Sequence, residues 1–230
     1  MPKTINKGFK GGEKGELILR GYDWKYETRE EDGMGIIEGH PVVIGQRTDL
    51  FWFDEIIEAG ALDNTDMKDV RLCLNHDTSV VYARSRNNSP DSTMTLWTEA
   101  DGLHFRAYVD LENPLSKAYY SMIDRRDIDK MSFMFSVKTD QWEDLESDHP
   151  LRRILEIGSI VEISAVTFPA YDSTDIQARD KEALESARQQ LESERQSRAE
   201  SPEGDQTCGG NLELAKAKHE FKSKFGGKTK

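Results

Sequence analysis

The chain has 230 residues, enough for one sizeable domain and a tail. Apolar residues make up 36% and charged residues 32%, so a core forms but part of the chain stays out of it. The formal charge of −12 rests wholly on residues 1–179, because residues 180–230 carry ten basic and ten acidic side chains, and an acidic body repels phosphate and excludes a general nucleic-acid binder.

No run approaches the ~18 apolar residues of a membrane span. The Gly- and Lys-rich start lacks the apolar segment of a secretory signal. Two cysteines, Cys73 and Cys208, give no disulfide framework, which points to a reducing compartment.

Residues 1–15 are expected to be disordered. Between residues 16 and 175 the signals are mostly those of strands: GELILRGY, GMGIIEGHPVVIG, DVRLCLNH, SVVYARS, TMTLWTEA, LHFRAYVD, KMSFMFSVK, RRILEIGS and IVEISAVTF. Leu103, Phe105, Ala107 and Val109 alternate with polar neighbours at period two, as do Met131, Phe133, Phe135 and Val137. FDEIIEAGAL (53–62) reads as a short turn-helix stopped by Gly60. NPLSKAYYSMIDRRD reads as a helix started by Pro114, with Leu115, Ala118, Tyr119 and Met122 on its apolar stripe. These elements predict a mainly β domain with flanking helices, an α+β fold built on a barrel or sandwich.

Residues 176–230 read as a polar tail. A solvated helix covers 176–200, its apolar residues chiefly Ile176, Leu184 and Leu191. A linker (200–211) and a short final helix follow, and residues 212–230 hold six lysines against Glu213 and Glu220. That end is a solubilising segment or a docking arm for an acidic partner.

The five histidines, His40, His76, His104, His149 and His219, include no HxxxH pair, and no CxxC occurs, so neither zinc nor another cofactor is expected. Phosphate-binding glycine loops and the GxSxG elbow are absent as well. What stands out is polar chemistry inside apolar strands: His76 closing VRLCLNH, Ser132 within KMSFMFSV, and Glu162 within IVEISAVTF. A carboxylate there is costly unless it is paired. A serine hydroxyl needs a base, histidine is that base near neutral pH, and a carboxylate fixes its tautomer. The three are chemically complete for acyl transfer. Each also has a plain structural reading, with Glu162 in a salt bridge to Arg152 or Arg153. Among rival nucleophiles, Cys73 should point away from His76 by strand alternation, and Ser136 shares the face of Ser132 about 13 Å along the strand. Ser164 shares the face of Glu162 and is placed to hydrogen-bond behind it. Backbone amides near Ser132, or Arg152 and Arg153, are candidate oxyanion donors.

Five segments in order resemble the tailed-bacteriophage prohead (head maturation) serine proteases, a herpesvirus-assemblin-like group. They are FDEIIEAGAL, VRLCLNHDTS, EADGLHFRAYVD, RRDIDKMSFMFSV and VEISAVTFPAYDST. The resemblance runs from about Gly35 to Asp175. It implies a herpesvirus-protease-like β-barrel of about seven strands, with Ser132 as nucleophile, His76 as general base and Glu162 as third member. It also implies an endopeptidase without cofactor, acting in the host cytoplasm inside the assembling prohead. Its implied substrates are the scaffolding protein or domain, the N-terminal extension of the major capsid protein, and the protease itself. One departure is SVVYARS after the histidine, where Ala83 stands in place of the family's glycine. A non-catalytic capsid assembly or scaffolding factor is the alternative. A carbohydrate-binding sandwich, hinted at by Trp52 and Trp97, is a weaker one. Neither nucleic acid nor membrane is an expected partner, and homo-oligomerisation is left open.

Overall fold

The structure is a computed structural model that describes residues 5–8, 17–23, 26–168 and 174–200. The elements run β1 (Ile5–Gly8), β2 (Leu17–Asp23), β3 (Tyr26–Glu31), β4 (Met34–Val43), β5 (Arg47–Asp49), β6 (Asp54–Ile57), β7 (Val70–Leu74) and β8 (Ala83–Ser85). Then come β9 (Met94–Glu99), β10 (Gly102–Asp110), α1 (Pro114–Asp124), β11 (Lys130–Glu143), β12 (Leu151–Val166) and α2 (Thr174–Glu200). The fold is mainly β with two helices among the described residues.

The strands pair into an eight-stranded sheet centred on β11 and β12 and a four-stranded sheet in the order β3-β4-β10-β9. Among the described residues no strand ladder closes either sheet on itself, so the α+β class holds while a closed seven-stranded ring is not seen. The two sheets meet where β8 runs beside β9 and where β2 and β11 approach β4. A backbone bond from Thr93 N to Arg84 O (3.0 Å) bridges the first of these seams.

Period-two alternation places the core as expected. Leu103, Phe105, Ala107 and Val109 of β10, and Met131, Phe133 and Phe135 of β11, are fully buried and join one apolar cluster with Leu72, Ile163 and Ala165.

Several elements differ from the sequence reading. FDEIIEAGAL is no turn-helix: Asp54–Ile57 is a strand running parallel to Leu151–Ile154, and Gly60 (φ +86°) turns the chain after it. Four residues alternating half-buried and buried gain more from a β ladder than from a single helical turn. RRILEIGS and IVEISAVTF are one continuous strand, β12. Part of the supposedly disordered N-terminus, Ile5–Gly8, pairs with β11. Helix α1 starts as expected, with Pro114 in its first turn and the Asn113 side chain accepting from Leu115 N. Its buried face, however, is Ser116, Tyr119, Tyr120 and Ile123, while Leu115 is exposed. The helix is fixed by its tyrosines: the Tyr119 hydroxyl donates to Cys73 O, and Tyr120 lies against Gly35, where a Cβ would come within 2.6 Å of its ring.

One compact unit runs to Gln189. Helix α2 begins at Thr174, beside the edge expected at 175, and its first half is docked rather than solvated. Asp180 and Leu184 are buried, Arg188 donates to Leu145 O and Ser147 O, and the Lys181 ammonium sits 5.2 Å over the Trp52 ring. The linker and final helix expected beyond residue 200 lie outside the described residues.

Candidate active site

Three strands side by side carry a polar row. Ser132 on β11 is the register partner of Ser164 on β12, and Ser164 is in turn the partner of Cys73 on β7. Register partners point to the same side of a sheet, so the three share a face, and Glu162 joins it two residues before Ser164. The opposite face carries Met131, Phe133, Ile163, Ala165 and Leu72 and belongs to the core. Continuous burial on both sides, Ser132 0%, Glu162 1% and Ser164 0% exposed, is why these polar residues sit in otherwise apolar strands.

His76 reaches this face by leaving the strand. Asn75 and His76 both adopt left-handed backbone (φ 49° and 61°), a conformation that is uncommon outside glycine. Asn75 holds the turn in place: its N–H donates to Ala165 O (2.9 Å), and its Oδ1 accepts from Thr167 N (3.0 Å) and Thr167 Oγ1 (3.3 Å). The turned histidine makes two contacts. Its backbone N–H donates to Ser164 Oγ (3.1 Å), and its Nδ1 lies 2.8 Å from Glu162 Oε2. Ser164 Oγ also donates to Glu162 Oε1. Glu162 thus has a partner on each oxygen, which is what a buried carboxylate requires.

On the far side of the imidazole, His76 Nε2 is buried and has no hydrogen-bond partner among the described residues, and Ser132 Oγ is in the same condition. The structure therefore brings His76, Glu162 and Ser164 together and sets Ser132 one strand away from Ser164, without a Ser132–His76 hydrogen bond. Two orphaned, complementary polar atoms on one face are each costly alone and would satisfy each other.

Other sequence candidates are placed elsewhere. Arg152 and Arg153 lie nine or ten positions from Glu162 on β12, about 30 Å at strand rise. Arg152 binds Asp140 (2.8 Å) and Glu55 (3.3 Å), and Arg153 binds Glu143 (2.8 Å) and Glu58. Neither is an oxyanion donor at this site, nor the ion-pair partner of Glu162. Their end of β12 instead carries a buried ionic cluster in which Arg20, fully buried, holds Glu55 (2.6 Å) and Asp180 (3.0 Å) and so ties α2 to β2 and β6. Ser136 is occupied by Ser159 (2.9 Å).

Cys73 is a rival excluded for a reason other than the expected one. Because His76 sits in a turn, strand alternation does not separate the two. Instead burial, reinforced by the charge of Glu162, pushes the thiol up to about 12, and a protonated thiol is a poor nucleophile. Ala83, which stands where the family pattern has glycine, pairs with Leu72 and is buried in the core, so its methyl is accommodated.

The sequence reading missed Asn75 as the residue that shapes the His76 turn. Its signal was an asparagine directly after a strand, a residue type that tolerates left-handed backbone.

The family described as Caudovirus prohead serine protease matches residues 16–189, a span that holds every residue of this cluster. The chain belongs to that family and is a serine protease of bacteriophage virion maturation. Comparison with curated proteins and with solved structures found no match.

Proposed function

We propose that Ser132, His76 and Glu162 are the catalytic triad of a prohead endopeptidase. The observation that carries this reading is the His76–Glu162 pair with its second ring nitrogen unsatisfied, on the same face as an unsatisfied serine hydroxyl. In the reaction Ser132 Oγ attacks the scissile carbonyl carbon, and its proton passes to His76 Nε2. The imidazolium, stabilised by Glu162, protonates the leaving amine as the C–N bond breaks. Water then attacks the acyl ester and gives its proton to His76, which returns it to Ser132. Ser164 holds Glu162 and the His76 backbone in register.

Ser132 is fully buried, so the proposed chemistry requires the site to open before a peptide carbonyl reaches Oγ, and with that movement the Ser132–His76 bond forms. The family's setting supports the substrates: scaffold, the capsid protein's N-terminal extension, and segments of the chain itself such as the polar tail. Enclosure inside the assembling prohead raises local substrate concentration, so weak binding suffices. The backbone bridge between β8 and the start of β9, and the approach of β2 to β4, support reading the two sheets as one barrel with open seams.

Ser132→Ala decides the assignment. Purified variant protein should keep its fold and lose processing of scaffold and capsid protein by about 10⁴ to 10⁶ in rate. Normal cleavage by that variant would remove Ser132 from the mechanism. The missing Ser132–His76 bond favours a second reading, an inactive assembly factor. A fluorophosphonate probe that fails to label Ser132 in assembling heads would support it.

A further inference from the structure

Two histidines that no sequence spacing connects meet on the four-stranded sheet. His40 lies on β4 and His104 on β10, where the irregularity between Leu103 and Phe105 leaves His104 out of register with β4. Bulges of this kind re-aim a side chain. Here the rings stack, with centroids 4.2 Å apart and planes 9° from parallel. Asp101, in the turn between β9 and β10, supplies a carboxylate to both: Oδ1 lies 2.8 Å from His104 Nε2 and Oδ2 lies 3.9 Å from His40 Nδ1.

One donor atom from each residue falls within 4.8 Å of the others. The seat is built by a glycine. A Cβ at Gly102 (φ +143°) would stand 2.6 Å from His40 Nε2 and 1.9 Å from Val42 O, so any other residue would displace the ring. The open side faces a cleft of about 400 Å³ lined also by Glu27, Glu38 and Trp97. Glu38 is taken up by Arg29 and Arg106, at 2.7 Å each, and is not a spare ligand.

We propose that His40, Asp101 and His104 bind one divalent transition-metal ion of the zinc type, with a water from the cleft as fourth ligand. Two neutral imidazoles and one carboxylate suit zinc, whereas calcium and magnesium demand six or more oxygen ligands. Ligand atoms about 2.0–2.2 Å from a tetrahedral zinc stand roughly 3.3–3.5 Å apart. Asp101 Oδ1 stands 2.8 Å from His104 Nε2 and Oδ2 stands 3.9 Å from His40 Nδ1, one on each side of that value, so a small turn of the carboxylate is needed for a single oxygen to serve with both rings. Parallel rings send their lone pairs side by side, so binding turns one ring. His104 is the one to move, since among the described residues it has, beyond Asp101 and His40, only the Trp97 stack, at 5.7 Å. The ion joins β4 to the β9–β10 turn on the sheet that does not carry Ser132. It is a fastening for the fold and takes no part in acyl transfer, so it stands or falls independently of the triad.

The test is zinc titration of the untagged, full-length chain by calorimetry, with cobalt(II) absorption as a spectroscopic readout of tetrahedral geometry. Wild type should bind one ion at micromolar concentration, with a rise in melting temperature. His104→Ala and Asp101→Asn should each weaken binding by more than about tenfold, the scale seen when only an outer partner of a ligand is lost. His149→Ala, in the exposed Asp49–Asp54–His149 cluster, should change nothing. If His104→Ala fails to fold, Asp101→Asn decides alone, because that carboxylate is 62% exposed. No binding at up to about 1 mM zinc, binding indifferent to Asp101→Asn and His104→Ala, or binding lost in His149→Ala overturns the proposal.

Discussion

Glu162→Gln tests the catalytic reading at its most specific point. The carboxylate is 1% exposed and lies 2.8 Å from His76 Nδ1, with Ser164 Oγ on its other oxygen. During the proposed acyl transfer the imidazole becomes a cation facing that carboxylate. Charges about 4 Å apart at an effective dielectric of about 20 attract by about 4 kcal/mol. The introduced amide keeps the volume and one acceptor but removes the charge, and its NH₂ group can turn toward Nδ1 and favour the wrong tautomer. At 1.36 kcal/mol per decade the lost attraction predicts a fall in kcat of about 10³. KM should hardly change, because the interaction strengthens only as the imidazolium forms. The assay is initial-rate cleavage of a peptide from the capsid protein's N-terminal extension by purified full-length protein, with melting temperature as the control for folding. His76→Ala, measured alongside, should lose more. A kcat for Glu162→Gln within about threefold of wild type, at unchanged stability, would refute the electrostatic argument and leave Glu162 a structural residue.

Three further outcomes follow from the surroundings of the site. Asn75→Ala should lower kcat about tenfold and stability by about 1–2 kcal/mol, because alanine is strained at φ 49° and the tie to Thr167 is lost; Asn75→Gly should recover stability but not kcat, as read by urea midpoints and initial rates. Burial pushes Glu55 up, but the Arg20 and Arg152 guanidiniums outweigh this and hold it below its ordinary value of 4.5. The folded state therefore binds fewer protons than the unfolded one, so this stabilisation is complete above about pH 4.5 and is lost as pH falls through the folded value. Asp180, raised chiefly by burial, titrates in the opposite sense. Glu55→Gln should cost about 3–5 kcal/mol at neutral pH and flatten the acid limb in urea unfolding from pH 7 to 3. Leu184→Ala, on the docked half of α2, should cost about 2–3 kcal/mol, and a loss below about 0.5 kcal/mol would show that this half of the helix is not part of the folded unit.

The carboxylate of the candidate site was legible before any coordinates. Glu162 inside an apolar strand is an anomaly of composition whose burial cost marks it as paired, and His76 and Ser164 are its partners, whereas Ser132 Oγ has none among the described residues. The strands β10 and β11 were legible for the same reason, since period two reports one buried face directly. Where the reading went astray, the deciding contact was non-local. Residues 54–57 are a strand because β12 offers them a parallel partner nearly a hundred residues away. Arg152 and Arg153 were drawn toward Glu162 by closeness in sequence, yet along a single extended strand ten residues are a long distance. The docked half of α2 was read as solvated because its polar residue Asp180 finds a buried arginine, Arg20, 160 positions earlier.

The sequence by itself determined which side chains must be hidden and therefore satisfied: that information is carried by residue type and by periods of two and 3.6. Only the tertiary structure decided who satisfies whom. Left-handed backbone at Asn75 and His76 turns an imidazole back onto a face that strand alternation would deny it, and a bulge sets His104 against His40. Such meetings depend on register between strands distant in the chain, and register is fixed by packing across the sheet rather than by any local pattern.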